Sequence, residues 1–209
     1  MDADMETSAH ARICAALIAV LASAALVAQA VDVALNNPDM TIAAVIWRLL
    51  RFFTILTNGI VAALCLRIAV DRKTPKPRWL GGVTLWIAIT GVVYHLLLAA
   101  TDGPNVGWGW WGNAGLHTAV PAAMLLWWLA FAPRRGLTVG AAVLWLSWPL
   151  LYCAYALVRG QFNGNYPYFF LDPVKTGWPG VATWIAILGA AFFAGGLILI
   201  GIGRLIRNR

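Results

Sequence analysis

The sequence predicts an all-α, polytopic membrane protein: a bundle of six transmembrane helices with both termini cytoplasmic. Three observations predict it. Of 209 residues 61% are apolar and only 11% are charged, against about 25% charged in an ordinary soluble domain. Six stretches reach the roughly 20 apolar residues that ~30 Å of hydrocarbon requires at ~1.5 Å per residue. The basic residues also cluster in alternate connections, as the bias of cytoplasmic loops demands. The composition excludes disorder, a collagen repeat and a disulfide scaffold, because the chain is too apolar, its 20 glycines have no period and it holds only three cysteines.

The spans fall near residues 13–35, 44–70, 80–100, 113–132, 137–158 and 181–205. Their connections are too short for a soluble domain, so residues 1–209 read as a single transmembrane domain. Arg72, Lys73, Lys76 and Arg78 fill the second connection, Arg134 and Arg135 the fourth, and Arg204, Arg207 and Arg209 end the chain. With Arg12 these place ten of the 15 basic residues on one side, and Arg67 can snorkel to it. The net charge of +7 is thus a topology signal and implies no nucleic-acid partner. The first span has a rival reading, because Ala28-Gln29-Ala30 after an apolar run looks like a signal peptidase site. Asp2, Asp4 and Glu6 make a poor positive leader, so retention is expected. Cys14, Cys65 and Cys153 lie in apolar stretches and read as small hydrophobes, with no metal or cofactor expected.

In the second span, read as one helix, Arg51, Thr54 and Asn58 fall within about 60° of one another. They form a polar stripe that Val61, Ala62 and Cys65 continue with smaller side chains. Polar groups at membrane depth belong on a face turned toward other helices or a cavity. A bland account of Thr54 is a hydroxyl bonded back to the carbonyl of Leu50, and Arg48 and Arg51 can simply anchor the helix at the headgroups. In the third span His95 shares a face with Thr84, Ala88 and Gly91, consistent with a satisfied histidine at a close helix contact or with a site. In the fourth, Asn113 and His117 share a face, and Pro121 has no N–H for the carbonyl of His117. Thr54 and His117 have similar expected depths. A hydroxyl is a weak nucleophile until a base removes its proton, and a Thr with a His supplies that pair.

The connections carry aromatics: Trp108, Trp110 and Trp111 in 101–112, and Tyr166, Tyr168, Phe169, Phe170 and Trp178 in 159–180. An interfacial belt is the ordinary reading. NYPYFFLDP is too apolar to stand in water and is expected to cover the outer mouth, with Tyr166 and Asp172 as candidate lid residues. Pro149 frees the carbonyl of Trp145, and Gly189, Gly195, Gly196 and Gly201 suit close packing of the last span.

Three segments in order, RFFTILTN at 51–58, WGNAGLHTAVP at 111–121 and YPYFFLDP at 166–173, resemble the bacterial branch of the androgen-induced-gene family, often labelled predicted six-pass (Pr-six-Pr) membrane proteins. The resemblance covers roughly Arg51 to Pro173. Eukaryotic members of that family are intramembrane threonine hydrolases of fatty acid esters of hydroxy fatty acids, and matching motif to motif implies Thr54 as nucleophile and His117 as base. This chain has Asn113-Ala114-Gly115-Leu116 where those relatives carry a second His, and the bacterial branch has no assigned reaction.

The expectation is therefore a hydrolase of the bacterial inner membrane acting on a lipid ester, with Thr54 attacking and His117 as base and then acid. Arg51, Asn58, His95 and Asn113 are the candidates for substrate or oxyanion contacts. The alternative is a non-catalytic module that binds or transports a lipid or small solute. No span holds the Lys of a retinal pump, and no filter or charge ring suggests a channel. The partners expected are membrane lipids; oligomeric state is left open.

Overall fold

The computed structural model describes residues 7–71, 74–103 and 105–207. Arg72, Lys73 and Arg209, counted above for topology, and Asp2, Asp4 and Glu6 lie outside the described residues. Six helices among the described residues are long and apolar enough to cross a membrane: Ala9–Leu35, Phe53–Val70, Pro77–Leu98, Gly107–Phe131, Val139–Asn163 and Pro173–Ile206. Among the described residues there is no strand. The architecture is all-α with six helices fit to span a membrane, that of a multi-pass membrane protein.

Helix α1 (Ala9–Leu35) starts at Ser8, whose hydroxyl accepts the N–H of Ala11. Its buried face is Ile18 and six alanines, Ala11, Ala15, Ala19, Ala22, Ala25 and Ala28. Spacings of three and four put these methyls in one seam, where small side chains let neighbouring backbones approach. The seam packs on α3 (Phe53–Val70) and α5 (Gly107–Ala114). α5 begins six residues before the expected start of the fourth span, and its Trp108–Gly112 segment, expected as a loop, is helical. Gly109 and Gly112, in the segment expected as a loop, are helix contacts, as is Gly115. A Cβ added at Gly109 would meet the Asp32 carboxylate at 2.9 Å, at Gly112 the Gln29 backbone at 2.9 Å, and at Gly115 the Ala25 methyl at 2.5 Å.

The expected second span, 44–70, is broken. α2 (Ile42–Leu49) ends at Leu50, Phe52 is extended (φ −92°, ψ 132°), and α3 begins at Phe53. No Pro or Gly marks the break; its partners come from another helix. α8 (Ser147–Asn163) presents Tyr152, Tyr155 and Arg159, spaced by three and four and so on one face. Tyr152 Oη donates to the Arg51 carbonyl at 2.8 Å and Tyr155 Oη to the Leu50 carbonyl at 3.1 Å. Arg159 donates to Tyr155 Oη at 2.7 Å and to the Trp47 carbonyl, with its guanidinium 3.9 Å from the centre of the Trp47 ring. Carbonyls freed by the break are thus answered from α8, which is how irregular backbone persists in a membrane bundle.

α4 (Pro77–Val93) runs into a π turn, Tyr94–Leu98, and α5 reaches α6 (Val120–Phe131) through another, Gly115–Ala119. α7 (Val139–Trp145) meets α8 at Leu146. The Trp145 carbonyl, freed by Pro149 as expected, accepts the Trp86 indole N–H at 2.8 Å. α9 (Pro173–Arg207) is kinked at Gly177 (φ 68°) just before Pro179. α4 packs on α6 and α9, and α7 on α9.

The three-residue ladder on α8 carries a prediction. Tyr152→Phe leaves the Arg51 carbonyl unpaired and should cost about 1–3 kcal/mol, read as a lower Tm of the detergent-solubilised protein. Arg159→Met should cost at least as much. An unchanged Tm in both would mean that the ladder does not hold the break.

Candidate functional site

The break makes Thr54 a first-turn residue of α3, where its hydroxyl leans across to the π turn at Gly115–Ala119. Thr54 Oγ1 lies 3.2 Å from His117 Nε2. The alternative bond from Thr54 to the Leu50 carbonyl is absent; Tyr155 holds that carbonyl. On the other side of the ring His117 Nδ1 lies 2.7 Å from Asn113 Oδ1 and 3.2 Å from the Asn113 carbonyl. The Asn113 amide is oriented in turn, since Nδ2 donates to Tyr94 Oη at 2.7 Å and to Asp102 Oδ2 at 3.0 Å, and Tyr94 Oη donates to Asp102 Oδ2 at 3.0 Å.

Proton counting fixes the tautomer. Asn113 Oδ1 can only accept, so Nδ1 of His117 carries the hydrogen and Nε2 offers its lone pair to the Thr54 hydroxyl. The Tyr94 ring stacks on the imidazole at 3.9 Å and 18° and holds its plane. The result is a hydroxyl, an imidazole and an amide in series, oriented at the far end by a carboxylate. A nucleophile, a base and a group that orients the base is the general arrangement of covalent catalysis.

Pro121 explains the surroundings of His117. With no N–H, Pro121 leaves two carbonyls without a helical donor: His117, its α-helical partner, and Leu116, its π-helical partner. Asn58 donates to the Leu116 carbonyl at 3.2 Å and to the Thr54 carbonyl at 2.9 Å. Gly91 of α4 covers the His117 carbonyl so closely that an added Cβ would sit 2.9 Å from that oxygen.

Several sequence-based expectations for the site change here. Asn58 is fully buried with both amide hydrogens committed and Oδ1 without a partner, so it fastens α3 to the π turn and has no hydrogen left for an oxyanion. Arg51 lies in the break and shares no helix face with Thr54; its Nε is buried without a partner among the described residues, and burial, with Arg159 and Arg48 nearby, lowers its pKa. His95 is exposed and pairs with Thr118 at 3.0 Å, away from Thr54. Asn113 is in the site, hydrogen-bonded to His117. Of the lid candidates, Tyr166 packs its ring on Gly160 of α8, while Asp172 Oδ1 accepts the N–H of Val174 at the start of α9.

The loop nevertheless reaches the site through another residue. Tyr168 Oη accepts the Phe53 N–H at 3.1 Å, and Tyr168 lines the same two cavities as Thr54. Tyr168 is half-buried, and desolvation raises its pKa, which favours the protonated phenol. Tyr94, Asp102 and Tyr168 were not foreseen; all three depend on contacts between separate segments. Together with Arg48, Lys175 and the site residues, Tyr168 lines a polar vestibule of about 640 Å³. No group of three or more metal-ligating side chains occurs among the described residues.

No protein-family model, curated protein or solved structure matches this chain.

The approach at Gly91 can be tested directly. Gly91→Ala must push α4 off the free His117 carbonyl, and overpacking of this kind costs about 1–3 kcal/mol. The variant should show a lowered Tm. A Tm equal to that of the parent protein would refute the close approach of α4 to the π turn.

Proposed function

We propose that the protein hydrolyses a lipid ester within the bacterial inner membrane, with Thr54 as nucleophile and His117 as base. The observation that carries the reading is the series Thr54–His117–Asn113, at 3.2 and 2.7 Å, opening on a vestibule. The motif resemblance supports it, and the ten basic residues on one side support cytoplasmic termini, which place the site at the outer end of the bundle.

In this mechanism Thr54 Oγ1 attacks the ester carbonyl carbon as its proton passes to His117 Nε2. The imidazolium keeps its Nδ1 hydrogen on Asn113 Oδ1, so no rotation is needed as charge develops. The Tyr168 hydroxyl, beside Thr54, is the donor assigned to the oxyanion. His117 then returns its proton to the leaving alkoxide, giving an alcohol and an acyl-threonine. Water attacks that ester through the same base, releasing the carboxylic acid and restoring the Thr54 hydroxyl.

Detergent-purified protein supplied with p-nitrophenyl acyl esters and a fluorophosphonate probe tests this. His117→Ala should lower turnover by about 10²–10⁴-fold and Tyr168→Phe by about 10²–10³-fold, and labelling should vanish in Thr54→Ala. Labelling that persists in Thr54→Ala, or turnover unchanged in His117→Ala, overturns the mechanism. Ligand binding with no acyl adduct on Thr54 would favour a binding or transport module.

A further inference from the structure

Behind Thr54, away from the vestibule, lies a second cavity of about 110 Å³. Thr54, Leu98 and Tyr168 line both cavities, so Thr54 stands between them. The two differ in chemistry. The vestibule carries Arg48, Asp102, Asn113 and Lys175, whereas the second chamber is walled by Ile89, Leu150, Ile185, Leu188 and Phe192. Its volume exceeds the roughly 10–15 Å³ that one water needs, but an apolar cavity offers water no partners and stays dry.

The chamber lies between α4, α8 and α9, within their membrane-spanning lengths. Its wall is not sealed: Leu150 is 48% exposed, and Val93, Ile185 and Leu188 are only partly buried. At that depth the surroundings are lipid chains. One wall residue has no side chain. A Cβ added at Gly189 meets nothing within 4 Å, so Gly189 leaves open a space that any larger residue would fill.

We propose that this chamber binds a single hydrocarbon chain, the acyl chain of the lipid ester, led from the bilayer to Thr54 past Gly189, and that Gly189 determines which chain lengths are accepted. The polar remainder of the substrate then occupies the vestibule, and the ester carbonyl is held at the boundary where the hydroxyl stands. The turnover part of the proposal rests on the hydrolase reading; the binding part does not.

Gly189→Leu and Gly201→Leu test it together. Both glycines lie on α9 with no atom within 4 Å of an added Cβ, but only Gly189 lines the chamber. An alkyl-diazirine fatty acid is photo-crosslinked to the full chain in lipid nanodiscs and mapped by mass spectrometry. Crosslinks are expected within residues 146–153 and 185–192, lost in Gly189→Leu and kept in Gly201→Leu. In turnover, Gly189→Leu should lose about tenfold or more in kcat/KM for dodecanoyl esters, the scale on which apolar pockets discriminate, while acetyl esters react as in the parent protein. Crosslinks that map elsewhere or survive Gly189→Leu overturn the chamber assignment. An unshifted chain-length preference in an active Gly189→Leu enzyme overturns the role of Gly189 while leaving hydrolysis intact. The expected crosslinks in a protein that turns over no ester would instead overturn the hydrolase reading and leave the chamber standing. Equal Tm values for the two variants guard against misfolding.

Discussion

The break between α2 and α3 is the constraint on which the site depends. An uninterrupted helix would bury Thr54 one turn inside a regular ladder, with its hydroxyl free to bond back to the Leu50 carbonyl. Instead the backbone turns extended at Phe52, and Thr54 becomes a first-turn residue beside His117. Unpaired carbonyls are costly where water is scarce, so the break exists only because Tyr152, Tyr155 and Arg159 answer it. The same helix that stabilises the break also walls the apolar chamber. Loosening α8 would therefore disturb the Thr54–His117 pair and the chamber together.

Around His117 a second economy operates. Pro121 withdraws one N–H and thereby leaves two carbonyls needing contacts, one met by Asn58 and one covered by Gly91. Both replacements draw helices inward, α3 through an amide and α4 through the lack of a side chain. The imidazole is thus fixed by three helices, although among the described residues its own hydrogen bonds involve only Thr54 and Asn113.

The spans were legible because hydrocarbon thickness sets a minimum length and the chain has little charge outside its connections. Asn113 and His117 were legible for a similar reason: both lie on one helix at a spacing of four, and Pro121 announces a free carbonyl. Three kinds of feature were not. The break at Leu50–Phe52 has no Pro or Gly, since its cause lies about a hundred residues away on α8. Gly109 and Gly112 read as loop because local propensity cannot reveal that Gln29 and Asp32 press against them. Tyr94, Asp102 and Tyr168 join the site through contacts between segments, which periodicity within one helix cannot supply. Placing Arg51 and Asn58 in one stripe with Thr54 assumed an unbroken helix, and the assumption failed at Arg51.

The π turn that carries His117 has a further property. Each such turn is a dislocation, one surplus residue in an otherwise regular helix, and it can travel by exchanging neighbouring hydrogen bonds. Passage toward α6 requires residue 121 to trade one acceptor for the next, and proline has nothing to trade. The dislocation is therefore pinned from that side, with Asn58 holding the Leu116 carbonyl that would otherwise be exchanged. Because each residue displaced along a helix turns its side chain by about 100°, this pinning acts as the rotational stop that keeps the imidazole aimed at Thr54.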